Sequence, residues 1–262
     1  MLAAFVLALA PPAAAETYRA RPGDYLELLQ RLQPGDALAL APGDYANGLP
    51  VHGIVGSPGS PIVIAGPRSG PRARFIARRG AHTVSIVNSA WVEIRNLELD
   101  GNGLPVAAVR AEGHADWAHH ITLDNLLIHG HGSGQQTVGI ATFCPAWNWI
   151  IRNSTITGAG TGMYLGQSNG TAPFVAGLIE RNLVVDSIGY NIQIKHQQPR
   201  PRIEGMPEGG SVTIVRHNVF TKSATSATGE NARPNLLVGH FPLSGAGADD
   251  LYAIYGLSLI HI

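Results

Sequence analysis

From residue 91 to residue 223 the chain repeats one pattern: a short alternation of apolar and polar residues, an asparagine, and a second short alternation. It runs WVEIRNLELDG (91–101), HITLDNLLIHG (120–130), NWIIRNSTITG (148–158), GLIERNLVVDS (177–187) and TIVRHNVFTKS (213–223). Asn96, Asn125, Asn153, Asn182 and Asn218 are spaced by 29, 28, 29 and 36 residues. Alternation at period two marks a half-buried strand, and asparagine tolerates the left-handed backbone of a tight bend. A strand-turn-strand unit of this length cannot bury its own inward face, so successive units must stack, each pairing in parallel with the next. The Leu-x-x-Leu-x-Leu frame of a leucine-rich repeat is absent, and Val, Ile and Thr outnumber helix formers in these segments. The pattern predicts an all-β chain folded as a right-handed parallel β-helix, with its asparagines stacked and bonded to one another.

A third alternation follows each second strand. Val138 and Ile140, Met163 and Leu165, Ile192 and Ile194, and then Leu236 and Val238, are expected to face inward. Outward residues at equal offset should stack about 4.8 Å apart from coil to coil. Arg110, Ala141, Gly166 and Lys195 then form one column, two cations separated by small residues, with Tyr164 and Gln193 beside it. Three coil steps put Arg110 and Lys195 about 14 Å apart, a spacing suited to successive units of a polymer. The segment QQPRPRIEGMPEGGS (197–211) accounts for the long coil, leaves directly after Lys195, and is expected to bring Arg200 and Arg202 back over this groove. Arg95, Asp124, Arg152, Arg181 and His217, one before each asparagine, read as an ion-pair ladder. Asp100, His129, Thr157, Asp186 and Lys222, four after each, read as solvated side chains and not as metal ligands, as do the scattered His114, His119, His120 and His131.

Ahead of the repeats, PGDYLELLQRLQPGD (22–36) predicts a helix with Asp24 as N-cap and Leu26, Leu29 and Leu32 on one face, placed to cap the open end of the solenoid. ALALAPGDY and PIVIAGP read as the first coils. With 45% hydrophobic and 14% charged residues, the stretch 16–256 can form a single domain. Lys+Arg and Asp+Glu both total 18, so no net field draws nucleic acid. Cys144 is alone and reads as a buried thiol. Residues 1–15, MLAAFVLALAPPAAA, form an apolar run ending in small residues and too short to span a bilayer. They read as an export signal, giving a secreted or periplasmic protein without a membrane span, expected to be a monomer. Residues 257–262, LSLIHI, are apolar and lack a turn signal, and one choice of codons for them spells the transposon end used in sequencing libraries. They are read as non-native read-through, and the C-terminal coils as missing.

The run LQPGDALALAPGDY followed by GSPGSPIVIAGP resembles the opening of β-helical polysaccharide lyases of the alginate lyase and chondroitinase B type. In that family a PGD-strand-GxY segment precedes a G-x-x-x-x-P-I-x-I-x-A/G strand. The resemblance implies an anionic, uronic-acid polysaccharide cleaved by β-elimination, with a catalytic lysine at the end of a polar-faced strand, a place that Lys195 holds. An amine base must be neutral, which desolvation and neighbouring cations favour. Tyr164, His196 or His240 would donate the proton to the leaving oxygen, and Arg110, Gln193, Gly166, Arg200 and Arg202 would hold substrate. Calcium-binding members carry acidic residues just before the lysine; Asn191 and Gln193 stand there in this chain, so the cofactor is open. The family's Arg-His-Gly strand corresponds to Val238-Gly239-His240, which keeps a histidine and loses the arginine. Strict alternation places His196 inward, beneath His240. A polygalacturonase-type hydrolase would need paired carboxylates, and Asp249 and Asp250, in a Gly-Ala tail, read as solvated. The competing class is a non-catalytic carbohydrate-binding or structural β-helix, in which Tyr164, Trp147 or Trp149 would stack on sugar rings, although Trp149 is in phase with inward Ile151.

Overall fold

The computed structural model describes residues 14–223 and 232–261; nearly all of the expected export signal lies outside the described residues. Every strand pair is parallel, and the strands form three sheets of 11, 8 and 7 strands. Each coil contributes one strand to each sheet in turn. In one coil these are Ala118–Asp124, Leu127–His129 and Val138–Thr142; in the next, Ile150–Arg152, Thr155–Thr157 and Thr161–Leu165. The chain is a parallel β-helix. An additional strand missed by the sequence reading, Thr17–Ala20, opens the first sheet by pairing with Ala37–Leu40.

The corner between first and second sheets turns on one residue with positive φ. These are Asn96 (φ 59), Asn125 (φ 54), Asn153 (φ 53), Arg181 (φ 54), His217 (φ 53) and Gly256 (φ 62). The strand register puts Arg152 opposite Glu180 and Glu180 opposite Arg216, so Asn153 stacks on Arg181 and His217, not on Asn182 and Asn218. Aligning all five asparagines therefore slips the last two coils by one residue. Asn125 and Asn96 still meet at the corner, with Asn125 Nδ2 donating to Asn96 Oδ1 at 2.8 Å. Asn182 and Asn218 instead point inward just past it, where Asn182 Nδ2 donates to Asn218 Oδ1 (3.0 Å) and to the Ile151 carbonyl (2.9 Å). Ser154 N–H donates to Asn182 Oδ1 (3.0 Å). A second buried amide pair, Asn191 to Asn235 at 2.6 Å, holds the entry to the third sheet.

The corrected register gives a better charge ladder than the one expected. Arg95, Asp124, Arg152, Glu180 and Arg216 are stacked in strictly alternating sign. Arg152 lies 3.0 Å from Asp124, and Arg216 lies 2.7 Å from Glu180. Inside, Leu38, Ile64, Ile94, Leu123, Ile151, Ile179 and Val215 form one aliphatic column, all at 0% exposure. Full burial of such side chains contributes about 1.5–3 kcal/mol each. Residues stacked in this way can be satisfied only by the coils above and below.

At the N-terminal end the helix is Tyr25–Leu29, shorter than the 22–36 pattern allowed. Pro34 disfavours helical geometry at Gln33, and the chain turns off after Gln30. Tyr25 and Leu29 are its buried residues, whereas Leu26 is half-buried. Asp24 holds no helical N–H; its carboxylate accepts from Arg21 N–H instead. Tyr25 packs edge-on to Tyr45 (5.0 Å), which stacks on Phe75 (4.7 Å). At the other end Ser258–His261 pairs with Val219–Lys222, leaving Leu259 53% exposed.

Removing the inward amide should cost more than relaxing the corner. Asn182→Ala leaves Ser154 N–H without its acceptor and takes a buried donor from the Ile151 carbonyl and Asn218, and is expected to lose about 1–3 kcal/mol. Asn153→Gly, at a position where glycine takes φ 53 freely, is expected to change stability by less than about 1 kcal/mol. Denaturant midpoints of the two variants check this, and equal losses would contradict the register.

Candidate functional site

The third sheet presents the most chemically distinctive outer face of the solenoid. Its strands Val109–Ala111, Val138–Thr142, Thr161–Leu165 and Ile192–Ile194 align Arg110 with Ala141, Tyr164 and Gln193. Lys195 belongs to the next outward column, which follows Ala111, Thr142, Leu165 and Ile194 and holds Glu112, Phe143, Gly166, Lys195 and Gly239. The expected column of Arg110, Ala141, Gly166 and Lys195 is thus two columns. Ile140, not Val138, pairs with Met163, and Gly139 faces the core, where an added Cβ would meet Ile156.

These two columns are tied together by aromatic rings. The Arg110 guanidinium lies 4.1 Å over the Phe143 ring, Phe143 stacks on Tyr164 (5.3 Å between centroids, 5° between planes), and Lys195 Nζ lies 5.2 Å over Tyr164. Ala141 is fully buried among Phe143, Tyr164, Val138 and Ala107. It is small because the aromatic pair fills the space above it. The result is one row of cation, ring, ring, cation along the solenoid axis, with Gln193 nearly buried at its side. Gly166 is required here: φ is +88 and a Cβ would sit 3.4 Å from Lys195 Cβ. Its N–H donates to Thr142 Oγ1 (2.8 Å). Phe143 was missed because the register slip placed it beyond the strand.

Several other expected residues stand elsewhere. Arg200 is buried and ion-paired with Asp250, so neither of them is solvated or reaches the groove. Its loop is held away by Ile203 and Met206, which pack against Trp147, Val175 and Trp117. Arg202 is exposed on that loop, in a separate cleft with Pro201 and Glu204. His240 is exposed and His196 half-buried, not a core residue; His196 follows Lys195 on the same coil, and its ring stacks at 5.3 Å on that of His240 from the next coil. Trp147 and Trp149 are both at 0% exposure, which removes them as sugar platforms. Cys144 is buried, and burial pushes its thiol up to about 12. His129 bonds Glu98 (3.0 Å), whereas His131 is buried against the Val106 carbonyl (2.8 Å). Lys222 is buried too, donating to the carbonyls of Ser187 and Gly189. The positions at which the family resemblance allows calcium do not fit that ion: Asn191 is committed to Asn235 and the Thr221 carbonyl, and neither it nor Gln193 supplies a carboxylate.

Two clusters lay outside the sequence reading. On the first coils of the third sheet, His52 Nε2 bonds Ser85 Oγ (2.9 Å), Ser85 Oγ donates to Glu112 Oε1 (2.8 Å), and Glu112 Oε2 lies 3.3 Å from Arg110 Nε. The coils of His52 and Ser85 lack the Asn motif, so nothing aligned their outward residues in advance. On the first sheet, Trp91 stacks on His120 at 3.6 Å and His119 stacks on Trp147 at 4.3 Å. Asn148 Nδ2 donates to His120 Nε2 (2.8 Å), so His120 carries its proton on Nδ1 and donates it to His119 Nδ1 (2.7 Å). Both rings are neutral in this arrangement. Burial first, and His120 second, hold His119 down to about 4.

Among the described residues no helix is long and apolar enough to cross a membrane. No protein-family model and no curated protein matches the chain. Among solved structures it is similar to an alginate lyase of family PL6 (13% identity, TM-score 0.45), covering 86% of this chain but only 40% of that one. It is also similar to an alginate lyase from Paenibacillus sp. str. FPU-7 (14%, TM-score 0.41, 93% and 99% covered). A third is a GH136 lacto-N-biosidase from Eubacterium ramulus (11%, TM-score 0.36, 92% and 68% covered).

The histidine pair generates a pH prediction. The folded state binds a proton at His119 only near pH 4, whereas the unfolded chain binds one at its ordinary 6.5. Protons are therefore taken up on unfolding in that window, and stability falls as pH drops from 6.5 towards 4. Thermal midpoints measured across this range should fall less steeply in His119→Asn than in the native protein.

Proposed function

We propose that this protein acts on an anionic, uronic-acid polysaccharide laid along the outer face of the third sheet. The observation that carries the reading is the continuous row Arg110, Phe143, Tyr164, Lys195. Its two cations stand three strand spacings apart, about 14 Å, so they meet carboxylates of different sugar units and not of one. The ring faces are taken up by each other and by the cations, leaving ring edges and the Tyr164 hydroxyl to face the polymer.

Beside the Lys195 end the reaction is β-elimination. The Lys195 amine takes the proton on the carbon next to the carboxylate, the electrons of that C–H bond form the new C=C bond, and the C–O bond to the neighbouring sugar breaks. The leaving oxygen takes a proton from the Tyr164 hydroxyl, and solvent restores both groups. His240, exposed one coil further on, lies on the path of the polymer past Lys195. Gln193 and Gly166 shape the floor at the scissile bond. A second reading, carbohydrate binding without cleavage, is favoured by one observation: Arg200, expected to stand over Lys195, is ion-paired with Asp250 instead.

Incubation with alginate, pectate and glycosaminoglycans, followed by ultraviolet absorbance of the unsaturated product, separates the two readings. A lyase gives rising absorbance with at least one polymer. Lys195→Ala and Tyr164→Phe are each expected to slow it by at least about a hundredfold. Binding without absorbance assigns the protein to the binding class, and neither binding nor absorbance sinks the polysaccharide reading.

A further inference from the structure

The row that begins at Lys195 does not end at Arg110. Arg110 lies beside Glu112, Glu112 accepts from Ser85, and Ser85 bonds His52, so a polar chain continues across the strands Val84–Val87 and Leu49–His52. There the face deepens into a cleft of about 540 Å³ lined by His52, Arg78, Arg79, His82, Ser85 and Glu112. A volume of that order is ligand-sized.

The charge in this cleft is unevenly matched. The Glu112 carboxylate is occupied on one oxygen by Ser85 and on the other by Arg110. His82 accepts from Ala107 N–H at Nδ1 (2.9 Å), which leaves its Nε2–H as a donor. Burial lowers both His52 and His82, so near neutral pH they serve as uncharged hydrogen-bond partners. Arg78 and Arg79 are exposed on the tight Arg78–Ala81 turn at the rim and, among the described residues, enter no ion pair. The cleft therefore has two guanidinium groups available to an incoming anion, with donors beneath them.

We infer that this cleft is a terminal subsite, taking the carboxylate of a uronate unit at one end of the polymer whose interior lies over the row from Arg110 to Lys195. This rests on the polysaccharide reading of the groove and extends it to chain length. From His52 to the strand that precedes Lys195 are five strand spacings, about 24 Å, so only an oligomer of several sugar units reaches both.

The test is calorimetric titration of the full chain with uronate dimers and with octamers, for the native protein and for Arg78→Ala/Arg79→Ala. Both arginines are exposed, and circular dichroism checks that the variant is folded. In the native protein the octamer is expected to bind at least tenfold more tightly than the dimer, and in the double variant this ratio should fall close to one. Arg79→Glu alone should lower it below the native value. An unchanged ratio in the folded double variant overturns the subsite while leaving the groove standing. Failure of every uronate oligomer to bind the native protein overturns both.

Discussion

The fold depends on a backbone constraint at a single corner. From the strand Ser89–Arg95 onward, each coil bends between its first and second strands at one residue, and that residue takes left-handed angles. Asparagine does so at modest cost, and glycine at none, whereas an ordinary L-residue there costs about 1–2 kcal/mol. Arg181 and His217 both accept this conformation. They can do so because the following Asn182 and Asn218 fasten the corner from inside through buried amide bonds. The amide has moved by one residue while keeping its task.

Once the corner is fixed, every other feature is stacking. A side chain that points out in one coil has a neighbour about 4.8 Å away in the next. That spacing suits alternating charges on the first sheet and ring-on-ring contact on the third. The same geometry explains why the Phe143 and Tyr164 planes differ by only 5°. Outward columns behave as one-dimensional lattices, and their chemistry is collective: the Arg110 guanidinium is shared between a ring and Glu112, whose carboxylate is shared in turn with Ser85.

Much of this was legible in advance. The period, the parallel stacking, most of the inward aliphatic residues and the outward placement of Arg110, Tyr164, Gln193 and Lys195 followed from alternation and from the asparagine spacing. What escaped has physical causes. The one-residue slip at Asn182 hid Glu180 and Arg216 from the charge ladder. Beyond the second sheet no corner motif marks the register, so Phe143 was separated from Tyr164. The destination of the 197–211 loop was decided by tertiary packing of Ile203 and Met206 on Trp147, which no local pattern encodes. His52, Ser85 and Glu112 are far apart in sequence, the first two on coils without the repeat motif, and only the stacked register joins them.

Because a coil touches only the coils on either side of it, the distance between the arginine-rimmed cleft and Lys195 is quantised. Loss or gain of one whole coil between Arg110 and Tyr164 would shift that separation by about 4.8 Å while leaving both ends chemically intact. A solenoid of this kind is a ruler with a fixed graduation. Its measure can be altered by evolution or by an engineer through the number of coils, independently of the side chains at either end.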